Sequence, residues 1–473
     1  MSGYFDEIDH SRMRREYPLG PEFLARTARL SRDELRALQE QRFQTVMTRA
    51  WRVPFYRRLW GARGIEPGDV RGLDDLPRLP TFSKTDLMRS VAEHPPFGDY
   101  HGVDLKAAGR PAVVLHTTSG TTGTPQPLFF GAWDREVQNL LLARAYVFQG
   151  LRADDVVHSV YGFGMVNGGH YIRETILHFT GAVLLPAGTG LETRSEQQVD
   201  LMRMFGATVL VGFPDYIKRL ADVARAQGLE PGRDLGIRMI SGHIGQEDRT
   251  SLSRAWGGAE VFDWYGVGDT GIVAAEGPDH DGLYVWEDAH VLEVVDPATR
   301  AIQADGALGN MVVTVLFKDG VYPIVRFDTN DLSAFVTTPS PLGLALRRIE
   351  GFRGRSDQMV KLRGINVYPT AIAGLLGPYA SATGEYVCRV RRTGDRDEMT
   401  VMIEIRAGQA DEGLAAALRA LFHQRLGVEV GVDLVGPGET ARLTGIEARQ
   451  KPVRLLDERP GSGRASAGAG RVP

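Results

Sequence analysis

The chain has 473 residues, 43% hydrophobic and 24% charged, with a formal net charge of −4; it is too long for one ordinary domain, and its balance is that of a globular protein with a sizeable core. That charge excludes a basic nucleic-acid footprint, no stretch approaches a membrane span, and the single cysteine, Cys388, excludes a disulfide framework or a cysteine-based metal site. The opening "MSGYFDEIDHSRMRREYPLG" is polar and lacks the apolar core of a signal peptide, so a cytoplasmic location is expected.

Ser31, with Glu34 three places on, predicts a capped helix running to Pro54. A second capped helix is expected at "SKTDLMRSV" (83–91). "PAVVLH" (111–116) reads as a short strand that opens into "TTSGTTGTP" (117–125). Such a loop can hold an anion through close backbone approach, inward N–H groups and hydroxyl donors. An ordinary Ser/Thr/Gly turn suits the same composition. Between 111 and 345 strand-like runs first alternate with helical ones ("REVQNLLLARAYVF", "EQQVDLMRMFG", "PDYIKRLADVARAQG") and then follow one another. That order predicts a mostly parallel sheet covered by helices, then antiparallel strands. From 358 a strand and turn, a hairpin ("EYVCRVRR", "EMTVMIEIRA") and an amphipathic helix ("DEGLAAALRALFHQRLG") predict a small α+β domain. The tail "PGSGRASAGAGRVP" reads as disordered.

"GVGDTG" (Gly266 to Gly271) fits a dinucleotide pattern, but no clear helix follows it, and it is taken as coincidence. The chain has no GxxxxGK[ST], GxSxG or HExxH. Only six of the 55 basic residues are Lys, at 84, 106, 218, 318, 361 and 451. Each is therefore of interest where a compact ammonium is needed.

"TTSGTTGTP", "DWYGVGDTG" (263–271), "YPIVRFDTNDLS" (322–333), "GRSDQMVKLRGINVYP" (354–369) and Lys451 in "GIEARQKPVRLLDERP" occur in an order that resembles the adenylate-forming (acyl-AMP-forming) enzymes. The resemblance is nearest to their phenylacetate–CoA ligase branch and runs from about 30 to 460. It implies an α/β fold: a large N-terminal adenylation domain with mixed sheets over 1–356, a small mobile C-terminal α+β domain over 357–460, and a disordered tail over 461–473. It implies that a carboxylic acid attacks the α-phosphate of ATP, with Mg2+, and that coenzyme A then displaces AMP. Bringing two anions together costs Coulomb energy, which cations and oriented donors must offset.

By the same resemblance Thr118, Ser119, Gly120, Thr121, Thr122 and Gly123 cradle the β- and γ-phosphates, and Asp331 holds the ribose hydroxyls. Tyr265 and Gly266 pack around adenine, with Gly242, His243 and Ile244 on another part of that wall. Asp269 stands where the family has a Glu that helps bind Mg2+. Arg355 contacts the nucleotide, Asp357 is the hinge, and Lys451 bridges the carboxylate and the α-phosphate. Tyr161, Phe163, His170 and Phe213 are candidate liners of the acid pocket, suited to a planar aryl ring. His170 fits a structural role equally. The implied substrate is an aryl or arylacetic acid, and dimers are usual in this branch. An amine or a carrier-protein thiol remains open as the acceptor, as does a weakened adenylate-binding relative. The departures are Thr124 and Gln126 where relatives often carry Lys, Gln450 in place of a Gly, and the shorter Asp269. Lys361 is expected on an edge strand facing solvent, with a phosphate of coenzyme A as the alternative partner.

Overall fold

The Ser31 side chain accepts from the Glu34 backbone at 3.2 Å while the Glu34 carboxylate accepts from the Ser31 N–H at 2.8 Å. This reciprocal cap starts the helix Arg32–Ala50. Ser83 and Asp86 cap Lys84–Glu93 in the same way. These elements belong to a computed structural model that describes residues 3–118, 125–318, 320–363, 365–393, 396–409, 412–445 and 452–459. Ser119, Gly120, Thr121, Thr122, Gly123 and Thr124, together with Gln450, Lys451 and the tail 461–473, lie outside the described residues.

The chain forms two units. The first holds Met1–Asp155, Phe163–Leu184 and Phe262–Phe352. Here Val113–Thr117 pairs antiparallel with Pro127–Gly131, so the glycine-rich stretch joins two strands of a hairpin. The helix Ala132–Phe148 follows and is buried on nearly every face, although Asp134, Arg135, Glu136, Gln138, Asn139 and Arg144 among its buried residues are polar or charged. Its Arg144 is fully buried and grips Asp288 through two bonds of 2.9 and 3.0 Å. Glu260–Val267, Gly271–Glu276, Leu283–Val285 and Arg348–Ile349 make one antiparallel ladder. "GVGDTG" is thus the turn between two strands, with no helix N-terminus to face a pyrophosphate.

A second sheet of this unit pairs His290–Val295, Gly309–Val315 and Phe327–Ser333 antiparallel, with Phe82–Ser83 parallel on the edge. Its register shifts between Asn310 and Val312, and on the facing strand Asn330 takes a left-handed φ of 59°. Asn tolerates that conformation, and such a bulge re-aims the next side chain, Asp331.

The second unit holds Val156–Gly162, Leu185–Val261 and Arg353–Pro473. Val156–Ser159, Val209–Val211 and Met239–Gly242 pair in parallel, as the strand–helix alternation predicts. Ser195–Phe205, Pro214–Ala226 and Arg249–Ala255 are its helices between and after these strands. In its C-terminal part the expected hairpin is Ala382–Thr393 with Arg396–Ile405, flanked in parallel by Leu455–Asp457 and Gly431–Val435. Tyr386, Cys388, Val390, Val401 and Ile403 pack with Leu418 and Phe422 of the helix Glu412–Leu426 into one core. Lys361 is exposed on Val360–Leu362, the solvent-facing position expected for it.

Candidate active site

Thr118 and Gln126 close the neck of the glycine-rich loop. The Thr118 N–H donates to the Gln126 carbonyl at 3.1 Å, and the Gln126 N–H donates to Thr118 Oγ1 at 3.2 Å. Lys84 Nζ, on the first residue of its capped helix, donates to the same hydroxyl at 3.2 Å. Beside this neck lies Asp269, in the turn after Glu260–Val267 and buried to 5% exposure. Its Oδ1 accepts from the Gln126 amide Nε2 at 2.6 Å and from the Tyr322 hydroxyl at 2.9 Å. Lys318 Nζ, fully buried over the rings of Phe130 and Tyr322, donates to the Asp269 backbone carbonyl at 2.5 Å.

Burial drives both charged groups toward neutrality. The Asp269 carboxyl is raised above its ordinary value, against the pull of Tyr322, Lys318 and Gln126. The Lys318 ammonium is lowered to about 8, against the attraction of Asp134 and Asp269. At neutral pH a site with a pKa of about 8 is still mostly charged, so a cation stays beside the neck.

Tyr265 donates its hydroxyl to Asp331 Oδ2 at 2.9 Å, and both are buried. The structure therefore brings the expected adenine-side aromatic and the expected ribose acid into direct contact. Gly266 is the adjoining strand residue; a Cβ there would come within 2.3 Å of the Gly271 carbonyl, so only glycine lets these two strands approach. Phe163 and His170 meet edge to face at 5.3 Å. His170 Nε2 donates to the Gly164 carbonyl at 2.9 Å, and its ring lies 5.0 Å from that of His116, on the strand before the loop. Burial lowers His116 to about 4, so it is neutral at physiological pH.

In the second unit Gly242, His243 and Ile244 leave the strand Met239–Gly242. The Tyr161 hydroxyl is 3.0 Å from His243 Nδ1. Phe213 stacks on the His243 imidazole at 5.3 Å and 18°, and meets Tyr161 edge-on at 4.9 Å. An expected member of the adenine wall thus forms one cluster with two expected acid-pocket residues. Arg355 grips Asp357 through paired bonds of 2.9 and 2.7 Å. Arg454 donates to Asp215 at 2.5 Å and to Glu385 at 2.9 Å.

Gln126, Tyr322, Lys318 and Lys84 complete the constellation around Asp269 without being singled out as site residues by sequence motif. The scarcity of lysines is the signal that points at two of them. Among the described residues no cluster of three or more His, Cys, Asp or Glu could cage a metal. Mg2+ needs no such cage: one or two carboxylates, substrate phosphates and waters hold it. Asp269 together with a buried, unpartnered amide oxygen on Gln126 fits that requirement.

Residues 75–315 match the family model for AMP-binding enzyme, and 364–459 match that for the AMP-binding enzyme C-terminal domain. The chain is 33% identical to a phenylacetate-coenzyme A ligase of Thermus thermophilus, over 91% of this chain and 98% of that one. It is 30% identical to the same-named protein of Aromatoleum evansii, over 91% and 96%. The solved structure of 2-hydroxyisobutyryl-CoA ligase in the postadenylation state with R3-HIB-AMP superposes with a TM-score of 0.80 at 27% identity, covering 94% of this chain and 91% of that one. The same ligase with 2-HIB-AMP and CoA, in the thioesterification state, gives 0.65 at 29% identity, covering 92% of each chain. Fold and site thus define an adenylate-forming enzyme. The chain belongs to the AMP-binding enzymes, in the phenylacetate–CoA ligase-like branch of AMP-forming acid–CoA ligases. Enzymes of this kind use ATP, Mg2+ and coenzyme A. Among the described residues no helix is long and apolar enough to cross a membrane.

Proposed function

We propose that the protein activates an aryl or arylacetic acid with ATP as its acyl-adenylate and passes the acyl group to coenzyme A, with release of pyrophosphate and AMP. The observation that carries this reading is Asp269, a buried carboxylate held by uncharged donors at the neck of a hydroxyl-rich loop. A buried anion without a bonded cation favours a visiting one. When bound, Mg2+ supplies charge neutralisation for the triphosphate.

In this reading Thr118 to Gly123 bind the β- and γ-phosphates, with Lys84 and Lys318 adding positive charge at the neck. Asp331, aimed by the Asn330 bulge, accepts from the ribose hydroxyls. Tyr265 presents its ring to adenine while its hydroxyl holds Asp331. Arg355 contacts the nucleotide, and Lys451 bridges the acid and the α-phosphate. The small domain begins at Asp357 and turns there between the two half-reactions. Tyr161, Phe213 and His243, packed ring against ring, present the faces that suit an aryl acid, and Phe163 and His170 pack edge to face on each other.

The test is pyrophosphate release from ATP and Mg2+ over a panel of aryl and arylacetic acids, each with and without coenzyme A. Release with one acid, with a thioester formed when coenzyme A is present, is expected. Release that ignores coenzyme A would assign a different acceptor, and silence across the panel would refute the adenylation reading.

A further inference from the structure

Gln126 is fully buried, and its side chain is used on one side only. The amide Nε2 donates to Asp269 Oδ1 at 2.6 Å, whereas the amide oxygen Oε1 is buried and meets no hydrogen-bond partner. A buried carbonyl left unpaired is costly, and a core position that needed only packing would carry Met or Leu there without that cost. The residue also sits at the exit of the phosphate loop, its N–H and carbonyl both locked to Thr118. Backbone and side chain together fix the direction of that oxygen relative to the Asp269 carboxylate. A neutral amide oxygen and a carboxylate side by side are the hard donors that a magnesium ion and its water shell take.

We infer that Gln126 is a second oxygen donor of the Mg2+ site, its amide N–H fixing Asp269 and its amide oxygen accepting from the ion's shell. The inference rests on the adenylating function proposed above. It reassigns a position that sequence comparison marks only as a missing phosphate-binding cation. The charge that the loop lacks is placed instead on Lys84 and Lys318, and Gln126 serves the metal.

The experiment is calorimetric binding of α,β-methylene-ATP, which cannot be cleaved at the bond the reaction breaks, across a series of Mg2+ concentrations. Gln126→Met keeps the side-chain volume and removes both amide functions. The Mg2+ concentration for half-maximal nucleotide affinity is expected to rise about tenfold, the size of effect seen when ligand-supporting groups are removed. Metal-free nucleotide affinity is expected to stay within about twofold. Gln126→Glu adds an anionic oxygen at the same place: metal-free affinity should fall, and the Mg2+ requirement should drop severalfold. An unchanged metal dependence in the Met variant, or equal losses with and without metal, overturns the inference. If the Met variant proves unfolded by thermal scan, the Glu variant decides, and a Mg2+ requirement that fails to drop overturns it. Wild-type protein that binds no nucleotide would overturn the proposed function as well, whereas normal wild-type binding with an indifferent Gln126 overturns this role alone.

Discussion

Two carboxylate sites in this molecule, one buried and one partly buried, are held in opposite ways. Asp269 receives an amide and a phenol, both uncharged, while Lys318 is spent on its backbone carbonyl. Asp215 and Glu385 share the guanidinium of Arg454, whose side chain is only 11% exposed. Neutral donors orient a carboxylate and leave its charge for something that arrives later. A guanidinium bonds two carboxylates to one cation, and the result is a structural tie. On the proposed function, the same side-chain chemistry separates a site that recruits a cation from one that joins two segments of a unit.

The largest effect is expected where the uncancelled charge is removed. Asp269→Asn keeps an oxygen to accept from Gln126 and Tyr322, so folding should survive with little change in Tm. Adenylation, read as pyrophosphate release, should fall about a thousandfold, or about 4 kcal/mol, the upper range for loss of one electrostatic stabiliser. A fall of less than tenfold would mean that Asp269 is a structural residue like Asp215. In the second unit the expected loss is of stability. Arg454→Met leaves two partly buried carboxylates without the cation bonded to both and should cost about 3 kcal/mol. Adding Asp215→Asn and Glu385→Gln should recover most of it. Denaturant midpoints of the single and triple variants check this, and a triple variant no better than the single would refute the charge argument.

How far this contrast was legible in the sequence depends on range. The caps at Ser31 and Ser83, the hairpin around Thr393 and the amphipathic C-terminal helix are local signals, and each element formed where its pattern predicted, except that the helix from Ser31 ends at Ala50, short of Pro54. The helix Asn167–Phe179 was hidden because it opens on Asn-Gly-Gly, which reads as turn. The strand Phe327–Ser333 was hidden because "DTND" reads as turn too, until the bulge at Asn330 accommodates it. At the site, Asp269, Tyr265 and Asp331 carry family motifs and could be named. Their partners could not, because Gln126 lies 143 positions from Asp269 and Tyr322 lies 53. No periodicity spans such distances; only the folded sheets bring them together.

The shared guanidinium also sets a pH dependence. Burial, with Asp215 nearby, outweighs Arg454 and raises Glu385 to about 7 from 4.5. A carboxyl whose folded pKa is raised binds a proton more readily when folded. Its contribution is full below pH 4.5 and is lost as pH rises through about 7. Stability should therefore decline across that window by on the order of 1–3 kcal/mol, given about 1.4 kcal/mol per unit. Glu385→Gln should flatten that slope. Unfolding midpoints at pH 5 and pH 7.5 measure it, and an unchanged slope in the variant would assign the dependence elsewhere.

The smallest effect is expected where neither site's charge is involved. His243 is wedged between the Phe213 face and the Tyr161 hydroxyl, so His243→Ala opens volume without stranding an ion. A pocket that gains a ring's worth of space changes preference between acids of different size by about 1–2 kcal/mol, or about 5- to 30-fold in the ratio of kcat/KM values. Tyr161→Phe removes only the hydroxyl and should move that ratio less, while Asp269→Asn should lower all acids alike. The discriminating measurement is the ratio for a larger and a smaller acid in each variant. If His243→Ala lowers every acid equally and leaves the ratio fixed, the cluster acts on the nucleotide side, where the sequence first put His243.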